Sequence, residues 1–332
     1  MRLGFAVKVL GAGGLPSHDS RRWQSRPHLS VSLRYLDAIL DYLDARDIRM
    51  YRMATALAPY ASHADLPQFH RQVDECADEL AAVGSRALSL GVRLSTHPGQ
   101  YTVLNSEDEA VRRSAVAELE VQAALFDAMG LAPESVVVLH VGGGAGGVDA
   151  AADRFLAGFE RLSERAQARL ALEHDDRVFA LADVLPVAER AGVPVVFDAH
   201  HHYCLDRAGI PEREALAAAL ATWPDGVRPK VHFSSPRLEL GERRRRVGRR
   251  VERVPALPDL RLHADLIDPP AFEAFLRDSA AGLPDFDVML EAKGKDLALL
   301  RLREQLAARG ALAHGGATAA ARARGEAPAP AR

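Results

Sequence analysis

Short apolar runs alternate with longer amphipathic stretches along most of this chain. The apolar runs fall at 3–7, 48–53, 93–97, 135–140, 170–173, 194–198, 228–232 and 287–293. Each is rich in β-branched or aliphatic residues, is bounded by Pro, Gly or charge, and has the length of a buried strand. Between them, apolar positions recur at helical spacing over 30–46, 67–90, 107–129, 150–168, 178–191, 211–222 and 296–308. Strands that regularly alternate with helices build a parallel sheet, and a count of eight favours closure into a (β/α)8 TIM barrel. The rival architecture is a doubly wound open sheet.

The second pattern is chemical. Six of the runs, RLSTH at 93–97, SVVVLH at 135–140, LALE at 170–173, PVVFD at 194–198, RPKVH at 228–232 and DVMLE at 287–291, end in a potential metal ligand. The closing residues are His97, His140, Glu173, Asp198, His232 and Glu291. One strand-ending His or acid is usually a hydrogen-bonded residue of no special function. Six in succession put three imidazoles and three carboxylates on the carboxyl rim of a barrel, where such enzymes carry their chemistry. Carboxylate-plus-imidazole donor sets suit Mn, Zn or Fe, and no cysteine enters the set, which leaves Mn and Zn both open.

Composition adds bounds. A chain of 332 residues accommodates one barrel of roughly 250 residues with extensions. The formal net charge of −3 means that any affinity for nucleic acid must come from a local patch. The two cysteines, Cys76 and Cys204, provide no disulfide framework and suit a reducing compartment. The amino terminus lacks the layout of a signal peptide, and no apolar run approaches the ~18 residues of a membrane span. These features lead to the expectation of a cytoplasmic monomer without membrane contact or organic cofactor.

Two segments break the regularity of a catalytic domain spanning 1–308. The insertion at 236–262 carries eight Arg and three Glu within 237–253. It is either a solvated helix face or charge-balanced loop, or a clamp for a polyanion, with Arg243, Arg244, Arg245 and Arg246 at its centre. The tail at 309–332 is rich in Ala, Gly, Pro and Arg and is expected to be disordered, being too poor in large apolar residues to order itself. The Gly-rich GGGAGG at 142–147 lacks the pattern of a phosphate-binding loop and gives the backbone room beside His140.

Residues two apart in a strand share a face. Alternation therefore puts Lys230 beside His232 and Lys293 beside Glu291, where either could steady phosphate oxygens. A protonated ammonium cannot ligate a cation, so Lys230 is expected to be neutral or carbamylated. The triplet His200, His201, His202 straddles the exit of its strand, and alternation alone favours His200 as the inward residue.

The strings THPGQY at 96–101, LHVGG at 139–143, ALEHDDR at 171–177, VVFDAHHH at 195–202, KVHFSS at 230–235 and MLEAKGKD at 289–296 resemble those of the UV damage endonucleases. YASH at 60–63 and LGFAV at 3–7 are similar too, and the resemblance spans about 3–300. More distantly, the same pattern resembles endonuclease IV and the sugar isomerase barrels. The resemblance implies a DNA repair enzyme on a TIM barrel. It would nick duplex DNA immediately 5′ of cyclobutane pyrimidine dimers, 6-4 photoproducts and abasic sites, leaving a 3′-hydroxyl and a 5′-phosphate. It also implies three divalent ions per chain, with manganese favoured over zinc. Their ligands would be His97, His140 and Glu173 for one, Glu173, Asp198, His232 and Glu291 for another, and His201 and His263 for the third. His63 would join the same site, and His201 rather than His200 would be the ligand. Gln100 and Tyr101 would be the pair inserted at the lesion, where an aromatic ring replaces lost stacking. One departure is Phe5, which stands where the family often has an aromatic hydroxyl, so stacking could survive there but a hydrogen bond could not.

A cage of this kind implies hydrolysis by metal-activated hydroxide, with Glu173, Lys230, Glu291 and Lys293 as its catalytic residues and no side-chain nucleophile. Two rivals stand beside this reading. A single-metal sugar isomerase or epimerase would need only Glu173, Asp198, His232 and Glu291. A catalytically silent DNA-binding barrel would need none of the six.

Overall fold

The computed structural model describes residues 1–247 and 250–310. Eight short parallel strands form its centre: β1 (Leu3–Ala6), β2 (Met50–Arg52), β3 (Arg93–Ser95), β4 (Val137–His140), β5 (Leu170–Glu173), β6 (Val195–Asp198), β7 (Lys230–Phe233) and β10 (Asp287–Leu290). An antiparallel pair, β8 (Gly241–Val247) and β9 (Arg250–Ala256), stands apart from them. Neighbours run β3-β2-β1-β10-β7-β6-β5-β4. Thr96 then joins the two ends, its N–H donating to the Val136 carbonyl (3.3 Å) and its carbonyl accepting from Val138 N–H (3.0 Å). The sheet therefore closes on itself as a (β/α)8 TIM barrel, and the open-sheet alternative falls.

Strand alternation divides the barrel into two shells. Leu3, Phe5, Tyr51, Leu94, Leu139, Leu172, Phe197, Val231, Phe233, Val288 and Leu290 point outward and pack with the surrounding helices. Ala6, Met50 and Met289 pack together on one side of the lumen, and Val136, Val138, Ala171, Val196 and Trp223 on the other. The lumen is tight. A Cβ on Gly4 would lie 2.7 Å from both Cγ and the carbonyl oxygen of Met50, so only glycine fits there.

The amino-terminal floor is polar and paired. Arg93, wholly buried, reaches Asp287 through Nη1 (3.1 Å) and donates to the carbonyls of Glu134 (2.8 Å), Arg228 (3.0 Å) and Pro229 (3.2 Å). Arg2 Nη1 meets the same carboxylate at 3.2 Å and Arg228 Nη1 at 3.7 Å. Trp223 lies under the guanidinium, 5.6 Å from ring centre to Cζ. Buried charge is tolerated because it is paired and bonded, and removing one member leaves the other stranded.

Several boundaries differ from expectation. The helix expected at 67–90 is broken into short turns before Ala77–Ser89, and that at 150–168 is two helices, Val148–Phe159 and Glu164–Arg169. The Arg-rich insertion is a β-ribbon, neither a helix face nor a loop. Arg244 opposes Arg253 and Arg245 opposes Glu252. Interspersed Val and an antiparallel ladder decide that outcome. Of the tail, residues 311–332 lie outside the described residues. Cys76 and Cys204 are both free. Among the described residues, no helix is long and apolar enough to cross a membrane.

Asp287→Ala leaves the buried Arg93 without its carboxylate, while Arg2 keeps Glu134 and Arg228 keeps Asp285, and is expected to lower unfolding stability by about 3–5 kcal/mol. Urea denaturation checks it, and a loss below about 1 kcal/mol would show the floor pairing to be dispensable.

Candidate metal centre

Of the strand-ending donors singled out in the sequence, His97, His140 and His232 face Glu173 directly, and Asp198 and Glu291 lie against His232. Glu173 closes β5, is wholly buried, and sits at the centre. Its Oε2 faces His97 Nε2 at 2.9 Å and His140 Nε2 at 3.7 Å. Its Oε1 faces His232 Nδ1 at 2.9 Å and His201 Nδ1 at 3.4 Å. His232 Nδ1 also lies 3.3 Å from Glu291 Oε1 and 4.0 Å from Asp198 Oδ2. Three overlapping sets have donor atoms close enough to share an ion: His97, His140 and Glu173; Glu173, Asp198 and His201; His97, His232 and Glu291.

The local sequence explains which histidine turns inward. Strand alternation ends at Asp198, because Ala199–Cys204 is helical. Asp198 caps that helix, its Oδ1 accepting from the N–H groups of His200 (2.7 Å) and His201 (2.8 Å). Helical spacing then returns His201 toward Glu173, while His200 stacks on His263 at 5.2 Å between ring centres. His263 also sits edge-on to His201 at 6.4 Å. Alternation favoured His200 because it assumed a strand where the chain had already turned.

The donors fit divalent cations. His140 Nδ1 donates to the Glu173 carbonyl (3.2 Å) and His201 Nδ1 to the His174 carbonyl (2.9 Å). Backbone acceptors that fix one ring nitrogen leave the other free to ligate. Asp198 uses Oδ1 for its cap, while its Oδ2 is buried without a hydrogen-bond partner, as are His97 Nδ1, His232 Nε2 and His263 Nδ1. So many orphaned buried donor atoms in one pocket call for a ligand.

The electrostatics agree. Burial opposes ionisation of Glu173, yet His232, His140 and His97 hold its carboxyl well below the usual range. Burial pulls His201 down, but Asp198, Glu173 and Glu291 outweigh it and raise its pKa to about 9. Burial dominates at His97, whose pKa falls to about 4 despite Glu173. Lys230, one layer beneath His232, is wholly buried, and burial and then Arg52 and Arg93 push its ammonium well below the lysine range. Its Nζ donates to Ser95 Oγ at 3.1 Å.

Other expected residues are not brought to the cage. Lys230 is enclosed beneath the cage, not exposed at its rim. Lys293 is exposed, because β10 ends at Leu290 and alternation lapses before it. Phe5 is wholly buried, edge-on to Tyr51 at 5.4 Å, so it cannot touch DNA. His63 is exposed and stands apart from the three sets, lining a cavity of about 520 Å³ with Tyr60 and Tyr101. Gln100 and Tyr101 lie on the exposed loop after β3, with Tyr101 83% exposed. Arg244, Arg245 and Arg246 are exposed on the ribbon. Sequence reasoning passed over Arg52, which closes β2 and forms an ion pair with Glu291 Oε1. It also passed over His174, whose Nε2 accepts from Asp198 N–H at 3.0 Å. The rule that identified the ligands passes over Arg52, because the apolar run at 48–53 continues to Met53 while the strand stops at Arg52.

The family model of UV-endonuclease UvdE matches residues 29–318. A "UV DNA damage endonuclease" of Bacillus velezensis is 32% identical over 274 residues, covering 81% of this chain and 78% of that protein. One from Bacillus cereus strain G9842 is 30% identical over 278 residues, covering 83% and 81%. The crystal structure of SacUVDE superposes with a TM-score of 0.77 at 30% identity, covering 94% of this chain and 100% of that one. The IOLI protein with a bound zinc atom is similar in fold alone, with a TM-score of 0.51 at 13% identity over 95% of this chain and 100% of that one.

With its pKa raised to about 9 by the neighbouring carboxylates, His201 would exchange a proton for any cation that it ligates. Apparent manganese affinity should therefore rise between pH 7 and 9 and level off above, with proton release measurable by calorimetry in two buffers. An affinity that is flat across that window would contradict the raised pKa.

Proposed function

The chain belongs to the UV-endonuclease UvdE family, and we propose on that premise that it nicks the DNA backbone immediately 5′ of a UV photoproduct. The products are a 3′-hydroxyl and a 5′-phosphate, and the substrates are cyclobutane pyrimidine dimers, 6-4 photoproducts and abasic sites. The supporting observation is that, among the described residues, two of the three ligand sets share one buried carboxylate, Glu173, and the third is joined to them through His97. A one-metal isomerase would use Glu173, Asp198, His232 and Glu291 and would give His97 and His140 no purpose, although both imidazoles face Glu173 Oε2.

The side chains divide the work. His97, His140 and Glu173 form one ion site, Glu173 with Asp198, His232 and Glu291 a second, and His201 with His263 a third, with manganese favoured. Bound divalent cations would supply acidified water and offset charge on the scissile phosphate and its leaving oxygen. Glu173, set between four imidazoles, keeps the ligand sets in register. Gln100 and Tyr101, exposed after β3, are the pair that meets the lesion, where a ring can fill the gap left by unstacked bases. The ribbon bearing Arg243 to Arg246 follows β7 at the rim and serves as a sequence-blind clamp on the duplex backbone.

Glu173→Ala is expected to reduce nicking of irradiated supercoiled plasmid by more than about 100-fold, since even groups that merely orient metal ligands are worth 10–100-fold. Binding to irradiated duplex should persist in a gel-shift assay. Full nicking by the variant would end the cage assignment.

Tyr101→Ala and a joint Arg244, Arg245 and Arg246 to Ala variant should fail differently. The first should erode the preference for irradiated over intact duplex. The second should weaken both substrates alike and flatten the dependence of affinity on salt. The same loss profile from both variants would refute the separate roles.

A further inference from the structure

Two residues beside the cage hold backbone conformations that L side chains rarely adopt, Val7 at φ +63° and Lys295 at φ +50°. Val7 follows β1; its N–H donates to the Arg52 carbonyl (2.8 Å) and its carbonyl accepts from Tyr51 Oη (2.6 Å). Lys295 opens the helix Lys295–Ala308, which follows β10. Asp296, wholly buried, straps the two turns together. Its carboxylate accepts from the N–H groups of Leu10 (2.7 Å) and Gly11 (2.9 Å) and from Tyr42 Oη (2.5 Å). A Cβ on Gly11 would lie 2.8 Å from Asp296 Oδ2, so the close approach of that loop requires glycine.

The strap gathers positive charge on one side of the cage. Arg52 is ion-paired to Glu291 through Nη1 alone, leaving the rest of its donor fork. Lys295 is half-buried, and burial, then Arg52, and further on Lys8 push its ammonium below the usual lysine range, with Glu291 opposing them. Arg52 at the end of β2, Lys8 after β1 and Lys295 after β10 thus follow three neighbouring strands, on the side of the rim where Arg52 pairs with Glu291. The adjoining sector of the rim has the opposite character. There a cavity of about 860 Å³ is lined by Glu212, Glu239, Asp265, Asp268 and Asp278, with neither Lys nor Arg among its lining residues.

We propose that Lys8, Arg52 and Lys295 form a subsite for a phosphodiester group of the DNA backbone, adjoining the metal centre at Glu291. The inference rests on the nuclease reading and adds the direction from which the strand reaches the cage, over the turns that follow β1, β2 and β10. Strained backbone at Val7 and Lys295, held by the Asp296 strap, fixes the cations before the substrate arrives. The contacts are blind to sequence and to damage, in contrast to those of Tyr101.

The test is fluorescence anisotropy of the metal-free full-length chain on duplexes with and without one photoproduct, from 50 to 200 mM salt. Lys8→Ala and Lys295→Gly are each expected to reduce the slope of log affinity against log salt by about 0.9. Both duplexes should weaken by the same factor, and Lys295→Arg should restore the wild-type slope. Lys295→Gly suits the left-handed backbone, so an unchanged thermal midpoint will separate lost contact from misfolding. Wild-type slopes in both variants, or losses confined to the damaged duplex, would overturn the subsite. In parallel, manganese-loaded wild-type protein is incubated with irradiated plasmid. Failure to nick would overturn the nuclease reading, whereas nicking with unaltered slopes would overturn the subsite alone.

Discussion

One buried carboxylate sets the terms for the rest of this molecule. Glu173 has no solvent, yet each of its oxygens faces two imidazole nitrogens within 3.7 Å. A carboxylate taken out of water without partners would cost several kcal/mol. The surrounding strands must therefore deliver their donors to one point, and a closed barrel does that better than an open sheet, since its rim brings β3 and β4 together beside β5. The seam at Thr96 is accordingly a functional joint: without it, His97 and His140 would stand at opposite edges.

The same alternation that brings ligands to the rim builds the layers below. Lys230 lies two residues before His232, and Asp287 four before Glu291. The lumen thus carries ionisable groups at its floor and rim, with Met50, Met289, Val138, Val196 and the amine of Lys230 between them. Burial drives Lys230 toward its neutral form, which spares the cage a second uncompensated cation next to Arg52. The arginine of the floor, Arg93, is tolerated because Asp287 and three carbonyls surround it. Floor and rim solve one problem, charge in a narrow lumen, by different means: fixed pairing below, and donors left open to cations above.

Much of this was legible in the sequence because period-two patterning and a terminal ligand are both local signals. The barrel, its eight strands and the convergence of His97, His140, Glu173, Asp198, His232 and Glu291 follow from them. What was illegible depends on where a strand stops. Alternation favoured His200 and Lys293, but the chain leaves extended geometry at Asp198 and Leu290, so a period of two no longer holds at either position. Phe5 and His63 entered through resemblance, and tertiary packing placed Phe5 among outward-facing core residues and His63 beside Tyr101. The Arg-rich insertion could not be assigned as a ribbon because its ladder is cross-strand, pairing residues up to fifteen apart in the chain.

Arg52 shows how the two kinds of information combine. In the sequence it is only a polar position near the end of a short apolar run; in the fold it is, among the described residues, the one strand-ending cation on a rim of ligands. An arginine there works against cation binding at Glu291 unless an anion shares the site, because like charges at such separations repel strongly in a low-dielectric pocket. A phosphodiester is that anion. Its charge offsets the guanidinium on one side and bound cations on the other, so substrate and metal each make the other's position less costly.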